Sequence, residues 1–120
     1  MAGVTVYGIE NCDHVRRARH WLRARGIEFR FHDFRRDGLA QDCLQRWLSH
    51  VPWDSLLNRR GQTWRRLDAE RRRAIVDQAS AVEAMLAEPT LIRRPVVEVD
   101  ERLLIGFSEA AFESAFPPPP

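Results

Sequence analysis

VTVYGIENCDHVRRARHWLRARGIEFRFH, Val4 to His32, carries two different periods with one cysteine between them. Val4 to Gly8 (VTVYG) is β-branched and aromatic, the composition of a buried strand. From Asp13 to Arg25 the apolar residues Val15, Ala18, Trp21 and Leu22 recur at helical spacing, with arginines on the other side. Gly26 stands where such a helix ends. Ile27 to His32 (IEFRFH) alternates apolar and polar side chains, as a half-exposed strand does. Strand, helix and strand make a βαβ unit, whose crossover is expected to be right-handed.

After Asp37-Gly38 the spacing changes. Leu39, Cys43, Leu44, Trp47 and Leu48 fall on one helical face, closed near Val51-Pro52. Asn58 to Thr63 is polar and reads as a loop, and Leu67 to Leu86 reads as helical with breaks. Pro95 to Val99 (PVVEV) and Arg102 to Ile105 (RLLI) are expected to be strands joined by the turn Asp100-Glu101. Ser108 is placed to cap a last helix, Glu109 to Phe116, and Pro117 to Pro120 form a polyproline tail. The order βαβ, helical insertion, ββα belongs to the α/β class. It resembles the thioredoxin fold, a four-stranded mixed sheet, here with a helical insertion at about 39–90 inside one domain spanning residues 1–116.

Bulk properties narrow the function classes. A chain of 120 residues is long enough for one hydrophobic core. An apolar share of 44% and a charged share of 30% are those of an ordinary soluble globule. No apolar run approaches the ~20 residues that cross a bilayer, so no membrane partner is expected. The start lacks the charged, apolar and cleavage regions of a signal peptide. Two cysteines are no disulfide framework, and the expected setting is reducing and cytoplasmic. All 19 basic residues are arginine, yet net charge is only +2, too weak a field to suggest a nucleic-acid partner.

Cys12 falls at the junction between the first strand and the first helical turn. Backbone N–H groups there lack partners within the helix, and cysteine pKa values at such positions can drop from ~8.5 to roughly 3.5–7.5. Asp13 opposes a second negative charge, Arg16 and Arg17 offset it, and Asn11 can donate a hydrogen bond. The competing reading is a small buried residue, since free cysteine is among the most buried types. Val15 stands three residues on, so there is no C-x-x-C pair and no dithiol cycle within this loop. Cys43, on an apolar helical face, reads as core. His14, His20, His32 and His50 are scattered and match no zinc-ligand spacing, so no metal is expected. LLNRRGQTWRRL (Leu56 to Leu67) reads as a solvated loop anchored by Trp64, and RRLDAERRR (Arg65 to Arg73) as a solvated helix face. In LIRRPVVEV (Leu91 to Val99), Pro95 suits the first position of a strand. If its bond is cis, it exposes neighbouring backbone to a ligand beside Arg94.

Several motifs stand in one register: Y-G-I-x-N-C-D (Tyr7 to Asp13), F-H-D-x-R-x-D-G-L (Phe31 to Leu39), L-L-N-x-R-G-x-T-W-R (Leu56 to Arg65), R-P-x-x-x-V (Arg94 to Val99) and Gly106-Phe107-Ser108. Over nearly its whole length the chain thereby resembles the arsenate-reductase-like (ArsC/Spx/YffB) family of the thioredoxin superfamily, nearest to the YffB-type subgroup. The resemblance implies a glutathione-dependent monothiol reductase. Cys12 matches its nucleophile, Arg60 and Arg94 match anion-binding arginines with Asn11 beside the cysteine, and Pro95 matches a cis-proline at the site. Glutathione is the implied co-substrate, and glutaredoxin or a thiol substrate the implied partner. Two alternatives are an arsenate reductase proper and a Spx-like regulator that binds RNA polymerase without catalysis. Arsenate reductases carry a third arginine after the last strand, where this chain has Gly106-Phe107. The Spx branch usually carries C-x-x-C, absent here.

Overall fold

In the computed structural model, which describes residues 3–118, β1 (Val4–Gly8) lies inside a sheet between β2 (Arg30–Asp33) and β3 (Val96–Val99). β4 (Arg102–Ile105) follows at the outer side of β3. β1 and β2 run parallel, with Val6 opposite Phe31 and Gly8 opposite Asp33. β3 is antiparallel to β1, Tyr7 opposite Val96, and to β4, Val96 opposite Ile105. This is the mixed four-stranded, thioredoxin-like sheet that the order of elements implied.

The described residues divide into two compact units, one holding the chain up to Arg35 and again from Arg94, the other Arg36–Arg93. In the first, helix α1 (Asp13–Ala24) buries Val15, Ala18, Trp21 and Leu22, the four residues its spacing selects. Ala18, Trp21 and Leu22 join Val6, Val97, Val99 and Phe112 in one apolar cluster. The helix ends on Gly26 at φ +67°. Gly26 N–H donates to the Arg23 carbonyl (3.0 Å) and Ile27 N–H to that of Leu22 (3.0 Å), the paired bonds of a Schellman motif. That motif moves the next strand. With the Ile27 amide committed to the helix end, pairing begins at Arg30 rather than at Ile27, while Ile27 and Phe29 still pack against the core.

At Gly8 the strand leaves no room for a side chain under α1. A Cβ built there lies 2.6 Å from Cγ2 of Val15, which is fully buried. Gly8→Ala is therefore expected to cost about 1–3 kcal/mol through overpacking, read as a lower urea midpoint at unchanged m-value.

The turn after β2, α2 (Phe34–Asp37), was not foreseen. Asp33, buried at 6% exposure, accepts the Arg35 N–H on Oδ1 (2.8 Å) and so turns the chain locally. The second unit contains α3 (Gln41–Leu48), α4 (Trp53–Leu56), α5 (Gln62–Arg66), α6 (Ala69–Ala74), α7 (Gln78–Ala87) and a 3-10 turn, Pro89–Leu91. The polar loop expected over Asn58 to Thr63 thus gives way to helix at Gln62, with Gly61 as its cap. Leu44 and Trp47 are buried on α3, but Cys43 is half-buried and accepts a hydrogen bond from Arg46 Nη2 (3.5 Å), so it is not a plain core residue. α7 packs against α4 and the 3-10 turn.

Asp77 opens α7 with a capping box: its carboxylate accepts from Ser80 N–H (2.9 Å) while the Ser80 hydroxyl accepts from Asp77 N–H (3.1 Å). The Ser80 amide, and then its hydroxyl, hold the Asp77 carboxyl below the ordinary aspartate range. A lowered folded-state value stabilises the protein above the ordinary aspartate pKa, and that contribution is lost as pH falls through the folded value. Asp77→Asn keeps a good cap but cannot titrate, so it should flatten this part of the acid limb of a Tm-versus-pH curve.

β3 and β4 are joined at Asp100, at φ +57°. The following helix, α8 (Glu109–Ala115), is capped by Ser108, whose Oγ accepts from Ala111 N–H (3.1 Å). Of the proline tail, Pro117 and Pro118 take no regular structure, and Pro119 and Pro120 lie outside the described residues. Among the described residues no helix is long and apolar enough to cross a membrane.

Candidate functional site

The strand register brings three chain segments to one end of the sheet. β1 ends at Gly8 beside the end of β2 at Asp33, and β3 begins at Val96 opposite Tyr7. Leaving β1, the chain passes the buried Ile9 and the exposed Glu10 and Asn11 to reach Cys12. Cys12 is the N-cap of α1, with extended backbone (φ −141°, ψ 125°). Its carbonyl accepts the Arg16 N–H (2.9 Å) and so starts the helix. Its side chain makes no capping hydrogen bond and is half-buried. This is neither a sulfur sealed in the core nor a hydrogen-bonded cap.

Of the two arginines expected to offset Asp13, Arg16 is the one that does so through an ion pair among the described residues. Its Nη1 donates to Asn11 Oδ1 (3.4 Å). Asn11 thus accepts through its side-chain oxygen.

The Arg94-Pro95 peptide bond is cis, and Pro95 is buried. The Pro95 carbonyl accepts the N–H of Gly106 (2.8 Å), which sits at φ +79°. The Gly106-Phe107 that stands in place of a third arginine thus begins with a residue holding the proline turn. Arg94 is half-buried. Burial pushes its guanidinium down from the ordinary arginine value; the nearby Cys12 sulfur works in the opposite direction, and Arg35 adds to the lowering by like-charge repulsion. Among the described residues the Arg94 guanidinium makes no hydrogen bond or ion pair. A half-buried cation that interacts electrostatically with the Cys12 sulfur and has no hydrogen-bond partner can hold an anion there.

Arg60 belongs to the second unit and is exposed. The motif around it is structural rather than a solvated loop. Leu57 bridges Ile92 in antiparallel fashion, with Asn58 N–H donating to the Leu91 carbonyl (2.8 Å) and Arg93 N–H to that of Leu56 (2.7 Å). The Asn58 side chain accepts the Arg60 N–H (3.0 Å), and the Arg60 carbonyl accepts from Arg65 Nη2 (2.8 Å). A Cβ on Gly61 would lie 2.8 Å from Asn58 Nδ2. Arg59 lies over the rings of Trp53 (5.8 Å) and Trp64 (5.7 Å). These residues fix the loop, and Arg60 is left presenting its guanidinium to solvent.

Two features were not picked out in advance. Tyr7 donates its hydroxyl to Glu98 Oε1 (2.7 Å) across β1 and β3 and meets His32 ring to ring at 5.0 Å. Arg35 stands within the second motif, Phe31 to Leu39, and acts on the Arg94 guanidinium by charge. Among the described residues no group of three or more His, Cys, Asp or Glu could hold a metal ion.

Comparison with known proteins places these features in context. The ArsC family model matches residues 7–115. An uncharacterized protein of Haemophilus influenzae is 42% identical over 113 residues, covering 94% of this chain and 98% of its own. The solved YffB protein superposes with a TM-score of 0.88 at 40% identity, covering 93% of this chain and 97% of its own. An arsenate reductase (ArsC) related protein from Brucella melitensis gives 0.74 at 48% identity, covering 93% and 92%. The global transcriptional regulator Spx of Streptococcus mutans is 28% identical over 119 residues, 95% of this chain and 83% of its own.

Proposed function

This chain belongs to the ArsC family, with an arsenate-reductase-like fold, and from that premise we propose that it is a glutathione-dependent monothiol reductase. The observation that carries the reading is the half-buried Cys12 sulfur at the start of α1, with the unpaired Arg94 guanidinium close enough to interact with it. In the proposed cycle the Cys12 thiolate attacks one sulfur of a disulfide. The Cys12–S bond forms as the old S–S bond breaks, and the other half departs as a thiolate. A second thiol, reduced glutathione or one relayed by glutaredoxin, then attacks the mixed disulfide and releases Cys12. Arg94 holds the anionic part of the substrate, Asn11 borders the sulfur, and cis-Pro95 follows Arg94 at the same site; Arg60 is a candidate anion-binding arginine by its place in the motif alone.

What favours one thiol over two is position 15. A C-x-x-C pair would place its second cysteine there, and this chain has a valine with no exposed surface. In the proposed cycle the resolving sulfur is that of glutathione, and Cys43, the chain's other free cysteine, is the alternative that Cys43→Ser tests. The test is mass spectrometry of the full chain after exposure to oxidised glutathione: one adduct on Cys12 supports the reading, and no adduct there ends it.

The Spx match supports a second reading, a regulator that binds RNA polymerase and needs no sulfur chemistry. Co-purification of polymerase that survives Cys12→Ser would favour it. An arsenate reductase proper is the third, and arsenate-dependent oxidation of glutathione that is lost on the same substitution would favour that one.

A further inference from the structure

We infer that Arg35 is a specificity-determining residue of the Cys12 site, acting with Arg94 to select disulfides that carry carboxylates over uncharged ones. The inference deepens the thiol-reductase reading and rests on it.

The backbone places Arg35 there. β1 and β2 are parallel neighbours that end side by side, Gly8 opposite Asp33. The chain leaves both strands at the same end of the sheet, reaching Cys12 after one and Arg35 after the other. β3 starts at that end, Val96 opposite Tyr7, with Arg94 two residues ahead of Val96. Three adjacent strands thus bring one sulfur and two guanidinium groups to one rim.

Arg35 is held by its main chain, not its head group. Its N–H donates to the buried Asp33 (2.8 Å), which sets the turn into α2. Its side chain is exposed and, among the described residues, makes no hydrogen bond or ion pair. The two arginines repel each other, an effect that falls on Arg94 on top of its burial. The Asp13 carboxylate is paired with Arg16. The Cys12 sulfur and the Asp33 carboxylate are the negative groups beside them, yet among the described residues neither guanidinium is hydrogen-bonded. Both can therefore take an anion from outside, and a planar fork grips a carboxylate through two parallel hydrogen bonds. A disulfide with a carboxylate on each half brings that charge together with the sulfur Cys12 attacks. The disulfide is itself the oxidant, so the exchange needs no further reagent.

The experiment compares rates of mixed-disulfide formation on the full chain with oxidised glutathione and with bis(2-hydroxyethyl) disulfide, which is uncharged. Arg35→Gln should slow the reaction with oxidised glutathione about tenfold and leave the uncharged disulfide within roughly twofold, since a rim charge acts on encounter with charged partners. Arg35→Lys, which keeps the charge but not the fork, should recover part of the loss. Equal slowing with both disulfides, or no slowing with either, overturns the inference while leaving Cys12 as the nucleophile. A wild-type chain that forms neither adduct removes the nucleophile and the inference together.

Discussion

Cys12→Ser is expected to abolish the glutathione adduct completely, while Cys43→Ser forms it at the wild-type rate. A serine hydroxyl is not a nucleophile toward a disulfide under these conditions, so the loss should reach the detection limit. Stability should move the other way. The cysteine occupies the N-cap of α1 without making a capping hydrogen bond, and serine is among the best residues for that position. The substitution should therefore leave the Tm unchanged or raise it, by an amount equivalent to up to about 1 kcal/mol. Lost reactivity in a protein at least as stable would show that the position carries chemistry and not packing. An adduct that persists on the serine variant would move the reactive thiol to Cys43.

Phe112→Ala should be the most damaging single substitution for the fold of the first unit. The ring is fully buried and meets three others: Phe107 at 4.8 Å and Trp21 at 5.4 Å, both edge-on, and Phe116 at 5.9 Å. Truncating such a ring costs about 3–5 kcal/mol, a large part of the 5–15 kcal/mol that roughly bounds a domain's stability. Equilibrium urea unfolding measures it. Phe112→Leu, which refills most of the volume, should restore more than half of the loss. A cost under about 1 kcal/mol for the alanine variant would mean that α8 contributes little to the core.

How far the sequence could be read depended on whether a pattern was local. The helical spacing of Val15, Ala18, Trp21 and Leu22 selects the four residues that α1 buries, because one helix against one sheet leaves little room for another solution. Ser108 is an N-cap whose hydrogen bond appears where expected, since capping involves only four neighbouring residues. The start of β2 was misplaced because the helix end takes the Ile27 amide, and hydrophobic alternation does not register a spent donor. Helix α5 was missed because its residues, Gln62 to Arg66, include none that is buried, so no apolar stripe marked it. At the candidate site, the cysteine and the arginine before the proline were legible from turn chemistry and motif. Arg35 was passed over because what distinguishes it is the register of β1 against β2, which brings residues 12 and 35 to one rim. That relation exists only after the strands pair.

The two outer strands of the sheet carry a further consequence. β2 and β4 are each four residues long, and each opens on an exposed arginine, Arg30 and Arg102. A strand with a free side can recruit a foreign strand and seed aggregation, and proteins commonly guard against this with brevity and a charged residue, most often lysine. This chain has no lysine, and arginine takes the gatekeeping place on both flanks. Repulsion between like-charged borders then keeps neighbouring molecules from zipping together when the protein is concentrated.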